Sequence, residues 1–422
     1  MSTRQKIRTK KFKTINEKTL IATVDIGKVM HMGYCRCPDG GEIKPFEFFN
    51  NGRGFNEFWK CIRKTMKTSH LEEVIVGFES TGPYGEPLTH YLRKRSVNLV
   101  QVNPLHTKKL KELQGNSPNK TDKKDPKVIA DIIELGHALT LVVPEGVAAE
   151  LRRLTHARER NITRRTVLWN QLQDLVFLLF PEFLQIMKDI KTKSAQYLVK
   201  HYPTPEDITE YGLNSLAITL RKISRGKLGE KRAQALYKAA RGSVGIKEGQ
   251  KSMLLEIKSI VTLIEASNRF IDDIEGKMSS YLKQIPHSRF ILSMKGIGEV
   301  TVAGLIGEVG DFSKFNTISE ITKLAGLDLF EISSGKHKGK RRISKRGRPL
   351  MRKLLYFAAL NVVRKGGIMH EQYQRYLKRG MLKMKALIAV ARKLLAIIFA
   401  LVRDHSEYEI SCPKIQNLLD AA

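Results

Sequence analysis

Apolar positions change their rhythm twice along the chain. From Leu20 they come in strand-length runs: Leu20–Ile26, Met30–Arg36, a turn at Pro38-Asp39-Gly40-Gly41, and the alternating run Ile43–Phe49. Phe55, Phe58, Ile62 and Met66 then recur at helical spacing. Glu73–Glu79 is an apolar run of the kind found in strands buried on both faces. A helix around Pro83–Lys94, a strand at Val97–Val102 and helices from Pro104 and Pro126 complete the pattern. Three meandering strands followed by alternating helix and strand is the order of a ribonuclease-H-like α/β sheet.

The second rhythm is helical. Glu145–Phe180 meets no proline until Pro181, and Lys247–Ile285 keeps heptad spacing through Leu254, Ile257, Val261, Ile264, Asn268 and Ile271. After a one-residue slip the stripe continues in Ile274, Met278, Tyr281 and Ile285. A helix of that length spans roughly 58 Å, so its stripe calls for an antiparallel hairpin or an intermolecular coiled coil. Asn268 on the stripe either sets register or faces solvent. Residues 181–246 read as a short helical insert without a functional signal. A new unit begins at Pro286 and holds Gly296-Ile297-Gly298, a helix from Glu299 and a Gly- and Lys-rich loop at 333–349. Two apolar helices, about Pro349–Val363 and Leu382–Val402, close it. The expected domains are a ribonuclease-H-like (RuvC-like) α/β domain at 15–142, a helical coiled-coil region at 143–285, and a mostly helical C-terminal domain at 286–410.

Charge narrows the class. The 422 residues carry 74 Lys and Arg against 42 Asp and Glu, a net charge of +32, which fits a protein that works on a polyanion. A membrane surface would need an anchor, and the best stretch, Ala386–Val402, is short and carries Arg392 and Lys393, so no membrane partner is expected. The acid-free basic arm at residues 1–14 reads equally as a solvated tail or a nucleic-acid contact, with no apolar run of signal type after it. Four scattered cysteines (Cys35, Cys37, Cys61, Cys412) give neither a disulfide framework nor a zinc site, so a reducing cytoplasm is expected, and a nucleic-acid partner makes a nucleoid-associated place in it the expectation.

Candidate chemistry sits at strand ends. Asp25 and Glu79 close the first and fourth predicted strands, which lie side by side in a ribonuclease-H-like sheet. Asp122 and Asp125, three apart, project to one side of a helix start. Four carboxylates repel unless they hold a hard cation. Mg²⁺ suits them, and two ions about 3.5–4 Å apart clamp both oxygens of a phosphodiester displacement. Asp125 before Pro126 reads equally as a helix cap. Gly296 and Gly298 read as a helix-hairpin-helix that presents amides to a DNA phosphate, or as a helix end plus turn. Residues 336–353 hold ten Lys and Arg and no acid. The cations Lys336, Lys338, Lys340, Arg341, Arg342, Lys345, Arg346 and Arg348 form a phosphate-binding loop, in which a serine is, on chemistry alone, more often incidental than nucleophilic.

Asp25-Ile26-Gly27-Lys28, Glu79-Ser80-Thr81-Gly82, Lys120-Thr121-Asp122 with Asp125, Gly296-Ile297-Gly298, Ala325-Gly326-Leu327, and Ser334-Gly335 through Ile343-Ser344-Lys345-Arg346-Gly347 recur in that order. Together they resemble the DEDD-type insertion-sequence transposases, the group that includes the bridge-RNA-guided recombinases, over about residues 20 to 403. The resemblance implies that Asp25, Glu79, Asp122 and Asp125 bind metal in a RuvC-like domain, and that Ser334 attacks the DNA backbone to form a covalent phosphoserine. It further implies active sites composed from two subunits of a dimer or tetramer, double-stranded donor and target DNA as substrates, and a structured guide RNA that chooses the target. Asp328 precedes Leu329 where many members have proline, Pro126 stands where a small residue is usual, and Ser333 adjoins Ser334. Two rival readings remain at this level. One is a RuvC-like junction nuclease in which water cuts; the other is an architectural DNA-binding protein with no chemistry.

Overall fold

The structure, a computed structural model, describes residues 15–79, 82–114, 125–331, 339 and 341–409, and comprises one unit ending at Val143 and another beginning at Pro144. The first unit runs β1 (Thr19–Asp25), β2 (Met30–Arg36), β3 (Glu42–Phe49), α1 (Gly52–Thr68), β4 (Glu73–Glu79), α2 (Glu86–Arg93), β5 (Asn98–Val102), α3 (Pro104–Gln114), α4 (Asp125–Glu134) and β6 (Leu139–Thr140). Its sheet has the order β3-β2-β1-β4-β5-β6, with β1, β4 and β5 parallel and the outer strands antiparallel to their neighbours. The expected mixed α/β layer is present. Strands β2 and β4 have the bounds read from the sequence, and β6 adds an unforeseen two-residue edge.

β1 and β4 are apolar at successive positions because both faces of the sheet are covered. Leu20, Ala22 and Val24 pack with Phe55, Phe58, Ile62, Leu88 and Leu92 under α1 and α2. Ile21 and Ile75 face the other way, onto Val128, Ile129, Ile132 and Ile133 of α4. Gly77 lets α4 approach closely: a Cβ there would lie 2.3 Å from Ile133 Cδ1.

The second unit runs α5 (Gly146–Leu179), α6 (Pro181–Met187), α7 (Lys193–His201), α8 (Pro205–Tyr211), α9 (Leu213–Ile223), α10 (Glu230–Arg241), α11 (Gln250–Leu282), α12 (Ser288–Leu292), α13 (Glu299–Val309) and α14 (Ile318–Ala325). It ends with the hairpin β7 (Leu329–Phe330) and β8 (Arg342–Ile343), then α15 (Pro349–Val362), α16 (His370–Lys378) and α17 (Lys383–Arg403). The long helices α5 and α11 lie antiparallel. Arg158 Nε meets Glu275 Oε1 at 2.7 Å, and Arg165 Nη1 donates to Asn268 Oδ1 at 2.6 Å further along the pair. The heptad stripe is therefore buried within one chain, and Asn268 is satisfied inside the pair rather than facing solvent.

One end of the pair packs Trp169, Leu172, Ile257 and Ile264 against the insert α6–α10. The other end sends Leu151, Ile274, Met278 and Leu282 into a core shared with α13, α15 and α17. The two long helices thus join two cores. Helix α17 lies in that core, with Lys393 extending toward the Tyr376 ring, 5.9 Å from its centroid. Among the described residues no helix is long and apolar enough to cross a membrane.

Candidate active site

Register decides where the acids fall. β1 and β4 pair in parallel up to Val24↔Phe78, so the last residues of the two strands, Asp25 and Glu79, stand side by side at the C-terminal edge of the sheet, each still paired on its other side, with Met32 and Val102. Side chains alternate along a strand. Asp25 therefore shares the face of Ile21 and Thr23, and Glu79 that of Ile75 and Gly77, which is the face covered by α4. Both acids are half-buried.

Helix α4 brings the third acid to this edge. Thr23 Oγ1, two residues before Asp25, donates to the carbonyl of Pro126 at 2.6 Å, which ties the first turn of α4 to the end of β1. Asp125 opens that turn, and Pro126 follows it where a missing N–H costs nothing. Asp122 lies outside the described residues. The structure thus sets Asp25 and Glu79 at neighbouring strand ends, with Asp125 at the start of the helix tied to β1. Among the described residues, no three carboxylate, histidine or thiol groups close into a metal-holding cluster.

Two residues of α3 that carried no sequence motif contact these acids. Thr107, buried, has its Oγ1 2.8 Å from both Glu79 Oε2 and the carbonyl of Pro104, two acceptors that share its single hydrogen. One turn later Lys111 Nζ lies 2.6 Å from Asp125 Oδ1, whose side chain is only 15% exposed. The i,i+4 spacing of Thr107 and Lys111 was the available signal. The acids here offer oxygen donors of the kind a hard cation takes, and Lys111 is already paired with one of them.

The basic loop belongs to the second unit. Ser333, Ser334, Lys336, Lys338 and Lys340 lie outside the described residues; the segments on either side form a short hairpin. Leu329 pairs with Ile343 and Phe330 with Arg342, and Arg341 Nε meets Glu331 Oε2 at 3.0 Å across the hairpin. Below it, Ser344 Oγ donates to Asp328 Oδ1 at 2.5 Å and Ser344 N to Asp328 O at 2.9 Å. Lys345, with φ at +55°, donates its N–H to Gly326 O at 3.0 Å. Gly347 is seated so closely that a Cβ would come within 2.4 Å of Gly326 N and Leu324 O. Arg341, Arg342, Lys345 and Arg346 are exposed.

Arg348 departs from expectation. It is turned inward, donating to the Glu308 backbone carbonyl and lying 3.4 Å from Glu308 Oε2, with its side chain only 16% exposed. Glu308 is buried and also meets His156 Nε2 at 2.8 Å, with Arg152 Nε at 3.9 Å. Burial, helped by the nearby Arg152 charge, pushes the Arg348 guanidinium down to about 10. This arginine anchors the start of α15 rather than facing phosphate; a charge run in sequence does not reveal which member turns in.

Gly296 (φ +100°) and Gly298 shape the turn between α12 and α13, and Gly298 caps α13 with extended backbone. Both glycines are exposed, while α13 is buried from Val302 to Val309.

Comparison with known proteins gives concordant matches. Residues 22–181 match a family described as transposase (DEDD, IS110), and residues 288–374 one described as "Transposase IS116/IS110/IS902 family". A 44.8-kDa protein of insertion element IS116 from Streptomyces clavuligerus is 26% identical over 93% of this chain and 97% of its own length. A 43.6-kDa protein of insertion element IS110 from Streptomyces coelicolor is 22% identical over 92% and 95%. The transposase of insertion element IS1111A from Coxiella burnetii is 29% identical over 33% and 39%.

Proposed function

Because this chain belongs to the IS110/IS116/IS902 family of insertion-element transposases, and so acts on DNA, we propose that it cuts and rejoins its substrate through a covalent link to Ser334. In this reading Asp25, Glu79, Asp122 and Asp125 hold Mg²⁺, and a RuvC-like domain, a coiled-coil region and a C-terminal domain divide the work at about residues 142 and 285. The observation that carries it is the β1–β4 register, which sets Asp25 and Glu79 next to each other at a strand edge.

The chain's own groups have distinct tasks. Bound Mg²⁺ supplies positive charge and polarisation at the reacting phosphate. Thr107 fixes one oxygen of Glu79, and Lys111 balances Asp125. The Ser334 hydroxyl gives up its proton; its Oγ–P bond forms as one P–O ester bond of the DNA breaks, and a strand end leaves as a free hydroxyl. A second strand's hydroxyl reverses the step, so rejoining draws on the stored ester and needs no nucleotide. Lys336, Lys338, Lys340, Arg341, Arg342, Lys345 and Arg346 neutralise the phosphates around it. Gly296 and Gly298, as a helix-hairpin-helix, position the duplex without reading it.

Double-stranded donor and target are joined within a dimer or tetramer, the acids of one copy serving the serine of another. A structured guide RNA selecting the target agrees with the charge of +32. The test compares Asp25→Ala and Ser334→Ala in a DNA strand-exchange assay. Both variants are expected to lose exchange and cutting alike; continued cutting by Ser334→Ala points to water as the nucleophile and overturns the proposal.

A further inference from the structure

The stretch 26–29 that follows Asp25 and the short turn Gly82–Gly85 that leads into α2 are fastened together from the face of the sheet opposite α4. Asn50, just after β3, sits between them. Its Nδ2 is 3.3 Å from the carbonyl of Lys28 and 3.4 Å from that of Gly27 on one side, and 3.1 Å from the carbonyl of Tyr84 on the other. Its own N–H donates to Val29 O at 2.8 Å. One carboxamide therefore spans the backbone that follows Asp25 and the Gly82–Gly85 turn ahead of α2.

His31 completes the fastening. It is 1% exposed, stacked on Phe55 (centroids 6.1 Å apart, planes 8° apart) and edge-on to Phe48. Its Nδ1 accepts the N–H of Gly27 at 3.1 Å. Burial lowers its proton affinity, with Asn50 opposing in part, so the ring is neutral and carries its hydrogen on Nε2. Gly27 has no room for a side chain, since a Cβ would lie 1.9 Å from Met30 O. The turn after Asp25 is thus held by its N–H, by its carbonyls and by sterics.

We propose that Asn50 and His31 are positioning residues for the divalent-cation site: they tie the stretch that follows Asp25 to the Gly82–Gly85 turn ahead of α2, so that the Asp25 carboxylate is held beside Glu79 in the setting a cation requires. This inference rests on reading those acids as cation ligands. Neither residue touches the cation. They act through the backbone, as the outer partners of metal ligands do when they fix ligand orientation. A merely structural role would lower thermal stability and leave cation affinity alone.

The test is a Mn²⁺ titration of the full-length protein, reading free Mn²⁺ by electron paramagnetic resonance well below the unfolding midpoint. Wild type is compared with Asp25→Ala, Asn50→Ala, Asn50→Asp, His31→Ala and His31→Asn. Asn50→Ala and His31→Ala are expected to weaken Mn²⁺ binding by about tenfold or more, with native circular dichroism. His31→Asn, which keeps an acceptor near the Nδ1 position, is expected to recover part of that loss. If Asp25→Ala abolishes binding while Asn50→Ala binds as wild type does, the positioning role is refuted and the cation reading stands. Should Asp25→Ala bind like wild type, the cation reading itself fails, and this proposal with it. If Asn50→Ala does not fold, Asn50→Asp decides: it fills the same volume without the donor, and unchanged affinity overturns the proposal.

Discussion

Thr107 and Lys111 stand one turn apart on α3 and reach two different acids of one sheet edge, Thr107 donating to Glu79 Oε2 at 2.8 Å and Lys111 lying 2.6 Å from Asp125 Oδ1. A helix that looks like a connector in sequence thereby organises the edge. Lys111 also supplies, from within the chain, positive charge of the kind the carboxylates would otherwise draw from a cation.

That arrangement predicts how Lys111→Met behaves. Without the ammonium, Asp125 depends more heavily on an added cation, so the rise in thermal midpoint on adding Mg²⁺ should be larger than in wild type. Differential scanning calorimetry with and without Mg²⁺ reads it. An equal rise in both proteins removes Lys111 from the cation site.

The root of the serine loop should be as demanding as the acids. At Gly347 a Cβ would strike only backbone, 2.4 Å from Gly326 N and Leu324 O and 2.7 Å from Lys323 O. No side chain can move aside to relieve it. Gly347→Ala is expected to destabilise the second unit by about 1–3 kcal/mol and to abolish strand exchange. Mn²⁺ binding, a property assigned to the first unit, should stay at the wild-type level. Denaturant unfolding and the Mn²⁺ titration check the two halves separately.

Glu308 predicts a pH dependence. Burial opposes its ionisation, but the His156 hydrogen bond and the Arg348 and Arg152 charges outweigh burial and hold the carboxyl below its ordinary value of 4.5. A carboxylate with a depressed folded-state pKa stabilises the fold fully above the unfolded value, and that contribution is lost as pH falls through the folded value. Wild-type stability should therefore fall as pH drops below 4.5, and Glu308→Gln should flatten that slope. At neutral pH the variant should be less stable by about 3–5 kcal/mol, because it leaves Arg348 buried without its counter-charge. Chemical unfolding at a series of pH values reads both.

Much of this architecture is visible in the amino-acid order, for a definite reason. β1 and β4 are buried on both faces, so their apolar runs stop where the sheet stops, at Asp25 and Glu79. Elements whose reason is tertiary left no such trace. β6, β7 and β8 are two residues each, too short for any alternation. Arg348 sits in a basic run that looks uniformly solvated, yet the buried Glu308 draws it in. Thr107, His31 and Asn50 belong to no motif, because they act on neighbours 28, 4 and 34 positions away. A stripe at heptad spacing showed that α11 needs a partner, but not that α5 of the same chain provides it.

Complementation tests the shared-site arrangement. Asp25→Ala and Ser334→Ala, each inactive alone, should regain strand exchange when mixed, because a mixed assembly pairs intact acids with an intact serine. Gel analysis of recombinant joints reads the recovery. No recovery across a range of mixing ratios, with mixed oligomers formed, assigns both groups to one copy.

The most direct measurement is the covalent bond itself. The protein, reacting with its donor and target DNA, is denatured, digested with nuclease and trypsin, and sequenced by tandem mass spectrometry. A nucleotide remnant is expected on the peptide containing Ser334, at that serine and not at Ser333, and absent from Ser334→Ala. Strand exchange proceeding with no protein–DNA adduct at any time point, or with the adduct on another residue, would contradict the account.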